Sequence, residues 1–424
     1  MKKNKTLSSV ILWSVISAAF IGPGTVTTAA MAGSLYQLDL LWAVTFATLA
    51  CIMLQEVSGR LTIVSGLSLG QALQKKYGDK RGAWLNILFG GPVILGCAAY
   101  EAGNILGAVA GLNLISSVDV KVLTTGISLF SFIVLWADKR NTIGWLMTSL
   151  VLLMGIAFFV LAMNRPFSLL QYVSSSFTPT LPPGAELLTL GLVGTTIVPY
   201  NLFLGSSISK GQTVPLMRIG IVISVVIGGL ITAAILVAGS AVQSFSNFDE
   251  LGKTLTTNLG PLGGVALGIG LFAAGFSSAI TSPYAASTIA STVFNWNLSR
   301  QRLVWISVLL TGFVFGISGV KPVPVILAVQ ALNGLVLPLL TAYLILLVND
   351  SLIVVEYRNS GFYNSMLLGI FGSVLFMGLN NIDKSVSTAL SLTGTHFMLI
   401  FAVTIALTLY LAVRVLFFSH QRPA

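Results

Sequence analysis

Two short polar interruptions lie in the middle of long apolar stretches, and their residue types are suited to bind a solute inside a membrane. They are Gly-Pro-Gly-Thr at positions 22–25 and Val-Pro-Tyr-Asn at positions 198–201. Proline removes a backbone donor and glycine makes unwinding easy, so we expect each helix to break there. Broken backbone at membrane depth is tolerated only where protein or a cavity satisfies it, and paired breaks indicate the central site of a secondary transporter. The alternative is two proline kinks that only shape helix packing.

One carboxylate, Glu101, lies well inside an apolar segment. Glu56 lies near the inner end of another segment, and the remaining acidic residues fall in loops or at segment edges. An ionisable group inside a membrane is costly and is by default a functional candidate, so we expect Glu101 to carry a proton. The alternative is a structural carboxyl that stays neutral or pairs with Arg60 or a hydroxyl.

The composition indicates that a membrane positions these residues. Apolar residues make up 55% of the chain and charged residues 8%, against about 25% charged residues in soluble domains. The mean hydropathy is +0.93. At about 20 apolar residues per crossing, we predict an all-α integral membrane protein with about 12 transmembrane helices in a single domain. The candidate spans are 9–34, 39–64, 83–112, 121–136, 143–163, 187–208, 217–242, 262–290, 303–319, 323–348, 363–380 and 395–418.

Three smaller features complete this picture. The first apolar segment follows a basic start, but it has no Ala-x-Ala-like cleavage site and contains the first interruption, so we interpret it as retained. Cys51 and Cys97 lie in apolar segments and are typical of packed core residues rather than a disulfide or metal pair. The polar stretches 164–186 and 243–260 are too short to fold alone.

The basic residues predict the orientation. If the spans alternate from a cytoplasmic start, 17 of the 22 Lys and Arg residues fall on the cytoplasmic side. This bias obeys the positive-inside rule and predicts cytoplasmic termini, in a bacterial plasma (inner) membrane. The net charge of +10 then faces anionic membrane lipid, and no basic and aromatic patch typical of a nucleic-acid partner is present.

Four segments resemble, in order, motifs of the Nramp (natural resistance-associated macrophage protein) family of proton-coupled divalent metal transporters. They are LQEVSGRLTIVSG at 54–66, GTTIVPYNL at 194–202, AGFSSAIT at 274–281 and VEYRNS at 355–360. The resemblance implies a LeuT-type 5+5 inverted repeat whose first and sixth helices are broken. The first repeat would span 9–163 and the second 187–348, followed by two additional helices at 363–418.

The site positions depart from the family's motifs. The family has Asp-Pro-Gly-Asn in the first span and Met-Pro-His-Asn in the sixth, and its Asp, Asn and Met are metal ligands. Here Gly22, Thr25 and Val198 stand at those ligand positions and lack ligand side chains, while Tyr200 replaces the His. The resemblance therefore places the substrate among uncharged residues, namely Gly22, Thr25, Thr195, Val198, Tyr200 and Asn201.

This loss of charge leaves the substrate open. Manganese and iron sites use carboxylate, imidazole or softer donors, and dehydrating a divalent ion without any anion is costly. A helix that begins near Gly24 has unpaired N–H groups and suits a carboxylate or another small anion. The family implies a metal ion transporter with an altered site. The alternatives are a transporter of a carboxylate, an amino-acid-like solute or another small anion, and a receptor-like relative that does not transport.

The resemblance also suggests how transport is coupled. Glu101 and Asn104 match the two acidic positions of the family's proton path, and the second has become an amide. Ser277, Ser278 and Thr281 could hold a sodium ion, as such hydroxyls do in the LeuT-type fold. The ordinary interpretation is that they let membrane helices approach closely, and we favour it.

The sequence contains no enzyme signature. It has no phosphate loop, metalloprotease helix or nucleophile elbow. We therefore expect no enzyme activity and no cofactor. The expected partners are the transported ion or small solute and membrane lipid, and no feature points to a particular oligomeric state.

Overall fold

The computed structural model describes residues 2–137, 140–163, 165–242, 245, 247–354, 356–389 and 396–420. These residues contain seventeen helices: α1 (Lys2–Phe20), α2 (Pro23–Tyr36), α3 (Leu41–Ser65), α4 (Leu69–Tyr77), α5 (Asp79–Asn113), α6 (Val120–Ala137), α7 (Arg140–Met163), α8 (Leu169–Phe177), α9 (Glu186–Thr196), α10 (Pro199–Ser209), α11 (Val214–Gly239), α12 (Phe248–Leu259), α13 (Pro261–Phe294), α14 (Leu298–Ile317), α15 (Pro322–Val348), α16 (Gly361–Ala389) and α17 (Phe397–His420).

Both predicted helix breaks are present. The first separates α1 from α2, which meet at an angle of 62°. The second separates α9 from α10 by two residues, 197–198, and the two halves together remain one apolar span. Pro23 and Pro199 each occupy the first turn of the helix that follows the break. Proline suits this position because the N–H group that it lacks would have no partner in the helix.

The helices agree with the predicted spans. Ten described helical segments are long and apolar enough to cross a membrane, and the bent pair α1–α2 makes eleven. The remaining predicted span, 323–348, coincides with α15. Cys51 and Cys97 are free and buried, as expected from their apolar surroundings.

Three short helices lie between the spans, in stretches that the sequence predicted only as polar connections or left unassigned. Ser68 and Ser168 start α4 and α8 with capping boxes, in which each serine accepts a bond from the backbone N–H three residues later. Asn247 caps α12 in the same way. These caps satisfy N–H groups that would otherwise be unpaired, so short polar segments can be helical.

The two broken spans lie side by side between longer helices. The contact between α5 and α13 is the most extensive between helices of the described chain, and α11 packs along α1, α2 and α3. In addition, α2 packs against α9, and α10 packs against α3 and α13. This arrangement brings the two breaks together in the interior.

A buried ionic cluster holds the end of α3 to α11 and α16. Glu56 accepts bonds from Arg60 at 2.9 and 3.1 Å, from Arg218 at 2.8 and 3.0 Å, and from the Tyr363 hydroxyl at 3.0 Å. Arg60 also donates to Asn359 at 2.6 Å. Arg60 is therefore paired with Glu56. The alternative in which Glu101 pairs with Arg60 is wrong.

Candidate functional site

The two helix breaks meet through their side chains. The hydroxyls of Thr25 and Thr195 lie 2.7 Å apart and join α2 to α9. The Tyr200 hydroxyl donates to the carbonyl of Ala19 at 2.8 Å. Asn201 lies one residue further along α10 and donates to a carbonyl of α1, that of Ile16, at 3.4 Å. The structure thus brings together predicted site residues that are about 170 positions apart in the chain.

The site is closed to solvent in this conformation. All six predicted substrate residues are buried, namely Gly22, Thr25, Thr195, Val198, Tyr200 and Asn201. Asn201 is fully buried, and its Oδ1 atom has no hydrogen-bond partner. An unpaired buried acceptor is costly, so this atom is available to a bound solute or a water molecule.

The two helices that begin at the breaks have no side-chain caps. Gly22 is the N-cap of α2 and Val198 is the N-cap of α10, and neither makes a capping bond. The first N–H groups of a helix have no partner within it and carry a partial positive charge. A Cβ atom at position 22 would lie 2.8 Å from Ser278 Oγ and 3.5 Å from Asn104 Oδ1, so a larger residue there requires a rearrangement.

Two further residues complete the site: Tyr100, which the sequence did not predict there, and Gln330, whose position in the tenth span allowed it to line the path or to bridge helices. The Tyr100 hydroxyl donates to Gln330 Oε1 at 3.3 Å, and the Tyr100 ring meets the Tyr200 ring edge-on at 5.6 Å. The Gln330 side chain lies directly over Gly24, where any Cβ atom would collide with Gln330 Nε2. In the sequence, Tyr100 is marked by its position next to Glu101, and Gln330 is marked as an amide within an apolar span.

The predicted proton-path residues adjoin the first break. Glu101 is fully buried, and its Oε2 atom accepts a bond from Asn104 Nδ2 at 3.2 Å. Its other oxygen has no partner, and no ion pair to this carboxyl exists among the described residues. On the side of α14, Gly312 packs against it, since a Cβ there would lie 2.8 Å from Glu101 Cγ. A lone buried carboxyl of this kind can hold or release a proton next to the site.

The eighth-span hydroxyls divide into two groups. Ser277 and Ser278 both donate to the carbonyl of Ala18 in α1, at 3.3 and 3.2 Å. Thr281 instead donates to the carbonyl of Ser277 in its own helix, at 3.0 Å. Two of the three hydroxyls therefore reach the end of α1, and the third takes part in α13 alone.

A vestibule lies between the site and the side of the N-terminus. It is a cavity of about 650 Å³ between α1, α10, α13 and α14. Its inner end reaches Val15 in α1 and Ser206 in α10. At a rise of 1.5 Å per residue, each lies roughly 10 Å from the nearer break. The contacts of Tyr200 and Asn201 with α1 close the path in between.

The described residues contain no group of three or more His, Cys, Asp or Glu side chains that could hold a metal ion. The available donors at the breaks are hydroxyls, amides and backbone groups. This arrangement is typical of sites for neutral or organic solutes and of weakly held hard cations.

An all-helical membrane protein with two adjacent broken spans is the architecture of LeuT-type transporters, and solved structures agree. The Eremococcus coleocola manganese transporter, in complex with an aromatic bis-isothiourea substituted compound, matches with a TM-score of 0.75 at 18% identity, covering 97% of this chain and 94% of that one. MhsT in complex with L-phenylalanine matches with a TM-score of 0.60 at 16% identity, covering 88% of this chain and 97% of that one. At these identities the likeness shows the fold alone.

The sequence comparisons give the family. The model of the natural resistance-associated macrophage protein-like (Nramp) family matches residues 14–383, so the chain belongs to the Nramp family. The divalent metal cation transporter MntH of Caldanaerobacter subterraneus is 25% identical over 391 residues, which are 87% of this chain and 90% of that protein. MntH of Deinococcus radiodurans is 25% identical over 341 residues, 75% of this chain and 76% of that protein. These relatives are membrane transporters and not enzymes.

Proposed function

We propose that this chain is a proton-coupled secondary transporter that binds its substrate between the two helix breaks. The observation that carries the proposal is the 2.7 Å contact between the hydroxyls of Thr25 and Thr195, which joins both breaks in one buried polar site. Alternating access through such a site is the expected mechanism of paired broken helices. The relatives' names make a divalent metal ion the first candidate substrate.

The site chemistry favours a second candidate. Gly22 and Val198 supply no side-chain ligand, and Tyr200 supplies a phenol that is already bonded to Ala19. A transition metal would have to lose its water to hydroxyls and amides alone, which binds it weakly. We therefore propose an altered substrate site that holds manganese poorly and takes a small carboxylate or amino-acid-like solute. The uncapped N-terminus of α2 supports this candidate.

We further propose that Glu101 supplies the coupling proton and that Asn104 positions it. Asn104 donates to Glu101 Oε2, and its own Oδ1 faces the position that a Cβ of Gly22 would occupy. The titratable side chains around Glu101 are Cys97 and Tyr100 on α5 and Tyr200 on α10. Each of these is neutral in its ordinary form, so no neighbouring cation among the described residues offsets the charge of Glu101 when it releases its proton. The competing proposal is sodium coupling through Ser277 and Ser278, with Thr281 as a packing hydroxyl.

The frame of the transporter is proposed on the same basis. Segments 9–163 and 187–348 would form the two inverted repeats, because each begins with a broken span, and 363–418 would form two additional helices. The basic residues support cytoplasmic termini in a bacterial inner membrane. The vestibule would then open to the cytoplasm.

Uptake into proteoliposomes tests the proposed function. The purified chain is supplied with an inward proton gradient and with Mn²⁺, Mg²⁺, propionate or alanine. We expect proton-driven uptake of an organic acid, weak or absent uptake of Mn²⁺, and loss of uptake in the double variant Thr25→Val, Thr195→Val. Thr189→Val is the matched control, since Thr189 lies in α9 but bonds only to the carbonyl of Ala185. Robust Mn²⁺ uptake by the parent chain would refute the altered site, and uptake that survives the double variant would refute its location.

A further inference from the structure

Side-chain donors at the site bond carbonyls near the end of α1, whereas no N-cap side chain accepts from the N–H ends of α2 and α10. The carbonyls of the last turn of α1 accept five such bonds: Thr25 to Phe20, Tyr200 to Ala19, Asn201 to Ile16, and both Ser277 and Ser278 to Ala18. A bound cation would have to displace these donors to reach the carbonyls. The N–H ends offer no such competition.

The N–H end of α2 is the more open of the two, because in α10 Pro199 has no N–H group and the Asn201 N–H bonds the carbonyl of Val198 at 3.0 Å. The N-caps Gly22 and Val198 make no capping bond, although a side-chain oxygen usually fills this role. Thr25, in the first turn of α2, meets Thr195, which lies in the last turn of α9. An anionic oxygen beside the N-terminus of α2 would accept its unpaired N–H groups and interact favourably with the dipole of that helix.

Gln330 is a second and independent donor at the same place. Its side chain is 4% exposed, and its Oε1 atom is held by the Tyr100 hydroxyl. This bond turns Nε2 toward Gly24, where the absence of a Cβ leaves room for it. Among the described residues Nε2 has no acceptor, so a donor without a partner, on a side chain that is itself buried, lies against Gly24 in the first turn of α2.

The vestibule has the matching charge. Its described lining contains two cations, Lys210 and Arg302, and no acidic side chain. Neither cation forms an ion pair within the described chain, and Arg302 lies over the Trp136 ring at 5.0 Å. The rest of the wall is rich in hydroxyls, which donate as well as accept. Such a funnel raises the local concentration of anions and lowers that of divalent cations.

From these observations we infer that the substrate carries a small carboxylate group, which Gln330 and the uncapped N-terminus of α2 bind after it passes Lys210 and Arg302. This inference rests on the proposed function and names the substrate class of that site. Symport of one proton on Glu101 with one monocarboxylate moves no net charge, although the loaded site, in which Glu101 is neutral, keeps the single negative charge of the substrate. Asn201 Oδ1, which has no partner, is left to accept a bond from a hydroxyl or ammonium group elsewhere on the substrate.

Binding of small ligands that differ in charge tests whether the substrate is a carboxylate. The purified full-length chain is titrated with propionate, propionamide, propylammonium, alanine and Mn²⁺, and binding is followed by thermal shift and intrinsic fluorescence. We expect propionate or alanine to bind at least tenfold more tightly than propionamide, propylammonium or Mn²⁺. The inference of a carboxylate substrate would be overturned if propionamide bound as tightly as propionate, or if propylammonium or Mn²⁺ bound more tightly.

Charge reversal in the vestibule tests the route. The double variant Lys210→Glu, Arg302→Glu should raise the KM for propionate at least fivefold with a smaller change in kcat, measured from the N-terminal side at low salt. The effect should shrink at about 0.3 M salt, where screening shortens the reach of the charges. Lys253→Glu is the control, because Lys253 is an exposed cation of α12 outside the vestibule. An equal effect of the control, or no effect of the double variant, would overturn the route.

A charge placed at the helix end tests the site itself. Gly22→Asp puts a carboxylate at the N-cap of α2, and Ser278→Ala removes the hydroxyl that would lie 2.8 Å from the new Cβ. The combined variant should bind propionate at least tenfold more weakly than Ser278→Ala alone. Unchanged propionate binding would overturn the inference. If a cation binds best and its uptake still requires Thr25 and Thr195, the carboxylate class fails and the proposed function stands. If uptake of every solute ignores those threonines, both fail.

Discussion

Replacing Glu101 by glutamine should separate coupling from binding. The amide has nearly the volume of a protonated carboxyl, and its Oε1 can accept the bond that Asn104 Nδ2 now donates at 3.2 Å. Its amide group takes the place of the oxygen that has no partner in the parent chain. The fold and substrate binding should therefore survive, while the exchangeable proton is lost.

The size of the effect follows from the number of carboxyls at the site. Glu101 is the one carboxyl that adjoins the breaks among the described residues, so one proton should move with each substrate. A gradient of one pH unit is worth about 1.4 kcal/mol per proton, which corresponds to a tenfold ratio. The parent chain should accumulate propionate up to about tenfold per pH unit. The variant should only bring propionate to the same concentration on both sides of the membrane.

The assay is uptake of labelled propionate by proteoliposomes under an imposed pH gradient, after subtraction of the passive uptake of protein-free liposomes, together with exchange at equal pH. The Glu101→Gln variant should lose accumulation and keep exchange. Asp249→Asn is the matched control, since it removes an exposed carboxylate of α12 far from the breaks. If the Gln variant accumulates propionate as well as the parent chain does, Glu101 is structural and the proton route is wrong.

Three further outcomes are expected. Adding Val198→Met to the variant Gly22→Asp, Ser278→Ala should raise Mn²⁺ affinity, measured by calorimetry, because carboxylate and thioether ligands return; unchanged affinity would show that side-chain ligands matter less than we argue. Replacing Ser277 and Ser278 together by alanine should leave transport independent of sodium, as in the parent chain, and a sodium requirement in the parent would favour the competing site. Glu56→Gln should destabilise the protein by about 3 kcal/mol or more, seen as a lower Tm, because it removes the carboxylate from buried Arg60. An unchanged Tm would mean that the cluster contributes little.

The overall architecture followed from local signals. Proline beside glycine or within a polar run is a strong breaker, so both helix breaks were confirmed at the predicted positions. Hydropathy located the spans because every backbone group in a membrane must be paired within a helix. The short helices α4, α8 and α12 were not predicted, since their apolar residues are few and their caps act over only three residues.

The composition of the site was less predictable because it depends on contacts between distant spans. Tyr100 and Gln330 are 230 residues apart, and only the packing of α5 against α15 places them over Gly24. Arg60 had two possible carboxylate partners in the sequence, and its position one turn after Glu56 decided between them. The charge bias places Lys210 and Arg302 on the cytoplasmic side of the membrane. It does not distinguish a loop that faces lipid from one that lines a cavity, so it could not predict that they line the vestibule.

The substitution of Gly22 for the family's Asp explains how one scaffold could serve opposite charges. A carboxylate at the N-cap of α2 would satisfy the open N–H groups and leave its remaining charge for a cation. Without this carboxylate, the N-terminus of α2 presents a partial positive charge to the site. Val198 likewise gives α10 no side-chain cap. The carbonyl end of α1, which could have attracted a cation, is already bonded by donors such as Tyr200 and Ser278. The uncapped N-terminus of α2 therefore supports the proposed carboxylate, and Glu101 is the carboxyl that we propose carries the proton.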